Sequence, residues 1–348
     1  MHHILPHLSP TDLLKFFNLE PLNRLARKGK LKVGTSSELE QLSLSDYLST
    51  IPRKFLYDTK YIQHYHNTAL KIANKLVLEG LLSPVGNGRG IYQKYTGNGF
   101  DGNKAQKGYY DFLIYGFTEI IDYFKDAIRV LEVKDIGSKE INVGTCFAIL
   151  HGQNKQYLIT AKHCLPENNE IRIKLFLGFG EGYSYPQKIY VHKDDNVDIA
   201  VMEFSDKMLL SDRFFGLETP YLLDDILVSG YPPVPGTTDA ILVSSKGEIT
   251  AIGKSYFHKY EQIYVNANIK AGSSGSPIIN STGSVIGIVF ESARDVKNSD
   301  LPDELRFGTG LTSTLINDII LSINTKDGTL HKELKFMPNP DNSFTMLG

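Results

Sequence analysis

The feature that most constrains the fold is a change of pattern near residue 124. Downstream of it, short apolar, β-branched or aromatic segments recur with Gly, Asp, Asn or Pro between them. This spacing is typical of an all-β barrel or sandwich and not of alternating strand–helix units. The predicted strands are Ile128–Val133, Thr145–Leu150, Tyr157–Thr160, Ile171–Phe176, Ile199–Phe204, Ile226–Ser229, Ile263–Val265, Ile278–Ile279 and Val285–Phe290.

Upstream of that point the chain is helical first and then mixed. A helix is predicted from the capping residue Ser9 to Gly29. A second helix is predicted over Asp58–Glu79, where apolar residues recur every three or four positions. Strands are then predicted at Gly90–Tyr95 and Tyr109–Tyr115, and a third helix near residues 118–126. A helix followed by a hairpin favours a winged-helix-like unit.

These patterns predict a multidomain α+β protein. Residues 1–123 would form a mostly helical regulatory or partner-binding domain, and residues 124–323 the β-rich domain. The β-rich domain would end in a helix over Thr312–Ile323. Residues 324–348 are mostly polar and contain a Pro-Asn-Pro-Asp breaker, so they are predicted to form a tail.

The composition is that of a soluble globular protein, with 41% hydrophobic and 22% charged residues. The net charge is −2, and residues 1–122 carry 15 Lys and Arg against 11 Asp and Glu. So small and scattered a basic excess favours a solvated surface, and nucleic acid is not expected as a partner. No apolar run approaches the roughly 18 residues of a membrane helix, so no membrane is expected either. No metal-ligand spacing is found, and no cofactor is expected.

Three strings in the β-rich half carry the residue types of nucleophilic catalysis. They are TAKHC, DIAV and GSSGSP, and they contain His163, Asp198 and Ser274. A serine hydroxyl needs a base to take its proton, and that base needs an acid to orient it. The small residues around Ser274 let consecutive N–H groups point at one spot, which suits an oxyanion. Each string alone is commonly structural, and it is their combination that indicates catalysis.

The three strings resemble the motifs of trypsin-like serine proteases of the chymotrypsin clan. TAKHC is similar to TAAHC, GSSGSP to GDSGGP, and the order His, Asp, Ser is that of the clan. The closest similarity is to bacterial HtrA-type and glutamyl endopeptidase-type enzymes. Further matching segments bring the resemblance to about residues 124–323; they are Gly144–Phe147, Asn266–Gly272, Gly283–Val289 and Phe307–Leu311.

The resemblance implies an all-β double barrel and a serine endopeptidase acting through an acyl-enzyme. Ser274 would be the nucleophile, His163 the general base and Asp198 the residue that orients it. The N–H groups of Gly272 and Ser274 would form the oxyanion hole. Ser273 replaces the acid that pairs with a new N-terminus in the digestive enzymes, so activation by N-terminal cleavage is not expected. The resemblance leaves a second mode of activation open, in which the loop around Gly272 changes from disordered to ordered, as in HtrA-type enzymes.

The resemblance also places a substrate pocket. Asn268, six residues before Ser274, would lie near the base of the pocket, and its neutrality argues against a preference for Lys or Arg. Glu291 and Ser292 follow the next strand and would line the wall, although Glu291 also suits a solvent-facing position. His192 and His258 are expected at the surface.

The cysteine content indicates the compartment. Only Cys146 and Cys164 occur, and residues 1–17 lack the basic and apolar pattern of a secretion signal. Both observations predict a reducing cytoplasm. The resemblance makes a Cys146–Cys164 bridge conceivable, and the compartment favours two free thiols.

Three functional hypotheses follow. The first is a serine endopeptidase of protein or peptide substrates, regulated through residues 1–123 by a protein partner. The second is a catalytically silent binding module built on the protease fold. The third is a protease-coupled DNA-binding regulator, for which the predicted helix Asp58–Glu79 offers only Lys60, Lys71 and Lys75 to phosphates.

Overall fold

The chain forms two compact units, Met1–Glu119 and Ile120–Gly348. The structure is a computed structural model, and its described residues are 5–27, 40–55, 59–134, 141–152, 155–165, 170–177, 180–204, 211–237, 239–254, 259–269, 272–292, 307–335 and 345–346. The domain limits at residues 123 and 323 stay predictions.

The first unit combines short helices with a small antiparallel sheet. Its helices are α1 (Pro10–Arg27), α2 (Leu44–Leu48), α3 (Thr59–Leu78), α4 (Gly102–Gln106) and α5 (Tyr109–Tyr115). Its strands are β1 (Leu42–Ser43), β2 (Leu82–Val85) and β3 (Lys94–Gly97), in the order β1-β3-β2. A hairpin does follow α3, but β2 and β3 form it, and β2 was not among the predicted strands. Residues 90–92 form a 3-10 turn, and the second strand begins only at Lys94.

The long helix α3 owes its place to its apolar stripe. Its buried side chains recur at spacings of three and four and join the core of the unit. Gly80 follows the helix with a φ of +71°, a left-handed conformation that suits glycine and turns the chain into β2. The buried residues of the stripe are Tyr65, Ala69, Ile72, Ala73 and Leu76.

The predicted strand at Tyr109–Tyr115 is wrong, because this segment is the helix α5. A short aromatic and apolar run is ambiguous, since a buried helix and a buried strand give the same pattern. Tertiary contacts decide the outcome. The Asp111 carboxylate accepts hydrogen bonds from the backbone N–H and the hydroxyl of Thr11, at 3.1 and 3.0 Å, and so binds the N-terminal turn of α1.

The second unit contains a nine-stranded sheet and a closed six-stranded barrel. The sheet has the order β17-β9-β10-β6-β5-β4-β7-β8-β18, and the barrel the order β11-β12-β13-β16-β15-β14. Helix α6 (Phe117–Phe124) precedes the first strand, and α7 (Ser313–Thr325) follows β16. The strands are β4 (Ile128–Lys134), β5 (Ile141–His151), β6 (Lys155–Thr160), β7 (Glu170–Leu177), β8 (Gly180–Ser184), β9 (Lys188–His192), β10 (Ala200–Glu203), β11 (Asp225–Gly230), β12 (Val243–Lys254), β13 (Glu261–Val265), β14 (Pro277–Asn280), β15 (Val285–Ser292), β16 (Gly308–Thr312), β17 (His331–Glu333) and β18 (Thr345–Met346).

All nine predicted strands are present, and the unit is rich in β-barrel structure as expected. The double barrel is realised differently in its two halves. The later half closes, whereas the earlier half is a sheet whose seven central strands end at β9 and β8. Strands β17 and β18 pair with these two edges. Residues 331–333 and 345–346 are thus elements of the sheet, and the prediction of a tail over 324–348 is wrong for them.

The sequence reasoning missed β12, which has twelve residues. The residues of this strand are exposed or half-buried, except for Ile249, which is fully buried. A strand that buries few side chains shows little alternation of apolar and polar residues, so its pattern is weak.

Candidate active site

Antiparallel pairing brings the first two sequence strings together. Strand β6 runs towards His163, and β10 begins just after Asp198; the two strands pair with Thr160 opposite Ala200. His163 lies in a 3-10 turn over Lys162–Cys164. The end of β6 therefore lies beside the start of β10, and the side chains of His163 and Asp198 come into contact.

The Asp198 carboxylate holds His163 at two points. One oxygen accepts a hydrogen bond from the His163 backbone N–H at 2.8 Å. The other lies 2.5 Å from Nδ1 of the imidazole. An ionised carboxylate only accepts hydrogen bonds, so Nδ1 carries the proton and Nε2 is left as the basic nitrogen.

These contacts raise the pKa of His163 to about 10. The hydrogen bond to Asp198 is the largest cause, followed by a hydrogen bond with the Cys164 side chain, and both outweigh the burial that lowers the pKa. The His163 side chain is 51% exposed, against 19% for Asp198. The geometry stabilises the imidazolium while leaving the ring open to a ligand.

The loop of Ser274 is shaped by two glycines in left-handed conformation. Gly272 has a φ of +91° and Gly275 a φ of +84°. A Cβ on Gly272 would collide with the Pro233 ring, and one on Gly275 with the Thr145 carbonyl oxygen. Glycine is therefore required at both positions for conformation and for space.

Backbone hydrogen bonds tie this loop to β15. The N–H of Gly275 donates to the carbonyl of Val289 at 2.8 Å, and the N–H of Val289 donates to the carbonyl of Ser276 at 2.9 Å. The Ser274 hydroxyl donates to the Phe290 carbonyl at 3.3 Å. Within the described part of the chain, the backbone N–H of Ser274 has no hydrogen-bond acceptor, so it is available to a ligand.

Thr145 on β5 has contacts on both sides of the site, and the sequence patterns gave it no role of its own. Its carbonyl accepts a hydrogen bond from the Thr160 hydroxyl at 2.7 Å and also faces Gly275. Its hydroxyl accepts from the N–H of Tyr231 at 2.8 Å. Thr145 thus joins the strand before His163 to the loop of Ser274. Its place in the matching segment Gly144–Phe147 did not reveal these contacts, because its partners are distant in sequence.

The three predicted pocket residues are placed less fully. Asn268 is exposed, and its backbone N–H donates to the Ser245 hydroxyl at 2.9 Å. Glu291 and Ser292 lie at the end of β15, opposite Thr309 and Gly308, and their side chains lie outside the described atoms.

The remaining predicted residues have definite environments. Cys146 and Cys164 are both free thiols, the first buried and the second partly so. Burial raises the pKa of Cys146, which keeps this thiol protonated. The expectation of a surface position is wrong for His192, which is buried and accepts a hydrogen bond from the Asp194 N–H; His258 lies outside the described residues.

Among the residues whose placement is described, no helix is both long and apolar enough to cross a membrane. No group of three or more His, Cys, Asp or Glu side chains in this part of the chain is arranged to hold a metal ion.

Comparison with known proteins shows what the β-rich part of the chain is similar to. Residues 144–288 match the family model described as a trypsin-like peptidase domain. This segment contains His163, Asp198 and Ser274. This part of the chain is therefore similar to a trypsin-like peptidase domain.

A curated relative and two solved structures add detail. The chain is 28% identical over 134 residues to a probable periplasmic serine endoprotease, DegP-like, of Rhizobium meliloti (strain 1021). The alignment covers 38% of this chain and only 25% of that protein. The active form of the Rv3671c protease from M. tuberculosis is 18% identical with a TM-score of 0.44, covering 59% of this chain and 83% of its own. The HtrA-type protease AlgW with a decapeptide is 18% identical with a TM-score of 0.45, and the match covers 60% of this chain and 67% of that chain.

Proposed function

We propose that the chain is a serine endopeptidase that cleaves peptide bonds through Ser274, His163 and Asp198. The observation that carries the proposal is the double contact of Asp198 with His163, at 2.8 Å to the backbone and 2.5 Å to the ring. This contact fixes the tautomer in which Nε2 can accept a proton. The peptidase-domain match over residues 144–288 supports the same reaction.

In this reaction the Ser274 oxygen attacks the carbonyl carbon of the scissile peptide, and its proton passes to His163 Nε2. The N–H groups of Gly272 and Ser274 stabilise the negative charge on the carbonyl oxygen; losing one such donor typically costs about 2.7–4 kcal/mol. His163 then protonates the leaving amine, and water hydrolyses the acyl-enzyme by the same route. Before attack, the Ser274 hydroxyl must exchange its hydrogen bond to Phe290 for one to His163.

The substrate would be a protein or peptide whose side chain enters a pocket formed by Asn268, Glu291 and Ser292. The exposed position of Asn268 is compatible with contact to a substrate. Because Asn268 is neutral, we expect a preference other than Lys or Arg. Peptide-library cleavage, repeated with Asn268→Asp, would show the preference moving towards basic residues if Asn268 lies at the base of the pocket.

Residues 1–123 would be a regulatory domain that binds a protein partner. The charges of α3 make nucleic acid a poor candidate for this partner. Lys71 is exposed, but the Lys75 amine already donates a hydrogen bond to the Ile114 carbonyl at 2.7 Å and is not free to bind a phosphate. A salt-dependent DNA-binding assay on the full chain tests the alternative of a DNA-binding regulator.

We also propose a cytoplasmic location and no cofactor. Two free cysteines in a chain of this length suit a reducing compartment. Cell fractionation of the native protein tests the location, and a periplasmic fraction would contradict it.

Labelling with a fluorophosphonate probe tests the proposed activity. The folded full chain should label, and Ser274→Ala should abolish labelling because the probe forms its bond with the serine oxygen. Ser281→Ala is the matched control, since Ser281 is an exposed serine in the turn that follows β14. A folded wild-type chain that does not label, with or without candidate substrates, would favour a silent binding module instead.

A further inference from the structure

The segment of residues 326–335 forms the edge of the sheet beside the loop that carries Asp198. Its strand β17 pairs with β9, with His331 opposite His192. The N–H of Lys193 donates to the Leu330 carbonyl at 2.9 Å, and the N–H of Leu334 to the Ile189 carbonyl at 2.8 Å. The segment is thus hydrogen-bonded along the whole strand that leads into the Asp198 loop.

The start of the same segment is fixed to α7 by Asp327. Its carboxylate accepts hydrogen bonds from the Ser322 hydroxyl at 2.6 Å and from the Thr329 N–H at 2.9 Å. These hydrogen bonds hold the pKa of Asp327 well below its usual value. The Ser322 hydroxyl also lies 3.0 Å from Nδ1 of His331. The turn between α7 and β17 is therefore held at both of its ends.

Asp195 connects this segment to both acid–base residues. Its carboxylate lies 2.7 Å from the Lys162 amine and 3.1 Å from the Lys332 amine. Lys162 directly precedes His163, Lys332 lies in β17, and Asp195 is three residues before Asp198. Three separate parts of the chain therefore meet at one carboxylate.

We propose that Asp195 is a positioning residue, through which residues 326–335 hold the Asp198 loop against the turn of His163. This inference rests on the proposed peptidase function. A single exposed ion pair contributes little to stability, and the Asp195 side chain is 75% exposed. The contribution of the Asp195 contacts is to the alignment of the site and not to stability, because a misplacement of about 1 Å in an active site can cost about a hundredfold in rate.

Kinetics on the full chain give the first test. We expect Asp195→Ala and Lys332→Ala each to lower kcat roughly tenfold at unchanged KM, since they disturb alignment and not substrate binding. The double variant should be no slower than the slower single variant, and Asp195→Glu should restore part of the rate. Lys335→Ala is the matched control, because Lys335 is exposed in the same segment and makes no ion pair among the described residues.

A measurement independent of activity gives the second test. In a proton NMR spectrum, the Nδ1–H of a histidine held by a carboxylate gives a low-field signal, which loss of the signal in His163→Gln would assign. We expect this signal to weaken in Asp195→Ala and Lys332→Ala and to persist in Lys335→Ala.

The two tests separate the two proposals. If wild type does not react with the fluorophosphonate but the signal depends on Asp195, the peptidase function fails and the positioning role stands. An unchanged signal with unchanged kcat in both variants overturns the positioning role, and so does a rise in KM alone.

Discussion

In the nine-stranded sheet, His163 and Asp198 are held by polar contacts near the surface, whereas in the closed barrel Ser274 is held by backbone conformation and close packing. The first pair depends on a carboxylate that accepts two hydrogen bonds. The position of Ser274 depends on Gly272 and Gly275, where a Cβ would clash with neighbouring atoms. Substitutions in the sheet half should therefore leave the fold intact and lower the activity, whereas substitutions in the barrel half should lower both the stability and the activity.

The largest effect expected in the sheet half is that of Asp198→Asn. The amide can no longer fix the productive tautomer of His163, so kcat should fall about 10⁴-fold with little change in folding, as in other Ser-His-Asp enzymes. Steady-state kinetics and thermal unfolding measure the two quantities. Asp239→Asn, at an exposed position, is the control. A loss of kcat below tenfold would contradict the role given to Asp198.

In the barrel half, Gly275→Ala should reduce stability as well as activity. Gly236→Ala is a matched control, because Gly236 has nearly the same φ, +83° against +84°, with no atom near its missing Cβ. The control should cost about 1–2 kcal/mol for the left-handed conformation alone. Gly275→Ala should cost clearly more, because the methyl group also meets the Thr145 carbonyl.

Thermal or denaturant unfolding of both glycine variants gives the difference, and probe labelling shows the loss of the nucleophile. Equal losses of stability would mean that the close approach at Gly275 contributes nothing beyond backbone strain.

The same contrast explains what the sequence could predict. The strings around His163, Asp198 and Ser274 are local, so short-range patterns found them. Apolar, β-branched or aromatic segments predicted nine of the strands, and apolar periodicity predicted α3. Contacts between distant residues escaped: Asp111 binds Thr11 and so ties the segment Tyr109–Tyr115 to α1, and backbone pairing with β9 makes residues 331–333 an edge of the sheet. The contacts of Thr145 and Asp195 escaped as well, although Thr145 lies in the matching segment Gly144–Phe147, because their partners are fixed only by the fold.

Thr145 connects the two halves, and Thr160→Val tests that connection. The substitution removes the hydroxyl that donates to the Thr145 carbonyl and leaves a buried acceptor without this partner. We expect a loss of about 1–3 kcal/mol in the free energy of unfolding, together with reduced kcat. Thr250→Val is the control, since its hydroxyl donates to the Tyr264 carbonyl within the barrel. It should lower stability and leave kcat unchanged; a similar loss of kcat in both variants would remove the special role of Thr145.

The smallest expected effect concerns the pH dependence of the sheet half. Hydrogen bonds to Asp198 and to Cys164 raise the pKa of His163 to about 10, so the imidazole becomes a neutral base only as the pH rises towards that value. The quantity kcat/KM of the free enzyme should therefore increase with pH on the alkaline side of neutrality. Cys164→Ala removes the second hydrogen bond, lowers the pKa of His163, and should move this rise to lower pH.

Cys146→Ala is the matched control for this shift. The Cys146 thiol is buried against the Arg129 carbonyl, so its loss should reduce stability without moving the pH at which kcat/KM rises. A profile of kcat/KM against pH for the two variants and the wild type distinguishes these outcomes. If Cys164→Ala leaves the profile unchanged, Asp198 alone raises the pKa of His163. The contact between Asp198 and His163 is then the one polar contact of the sheet half that controls the pH dependence.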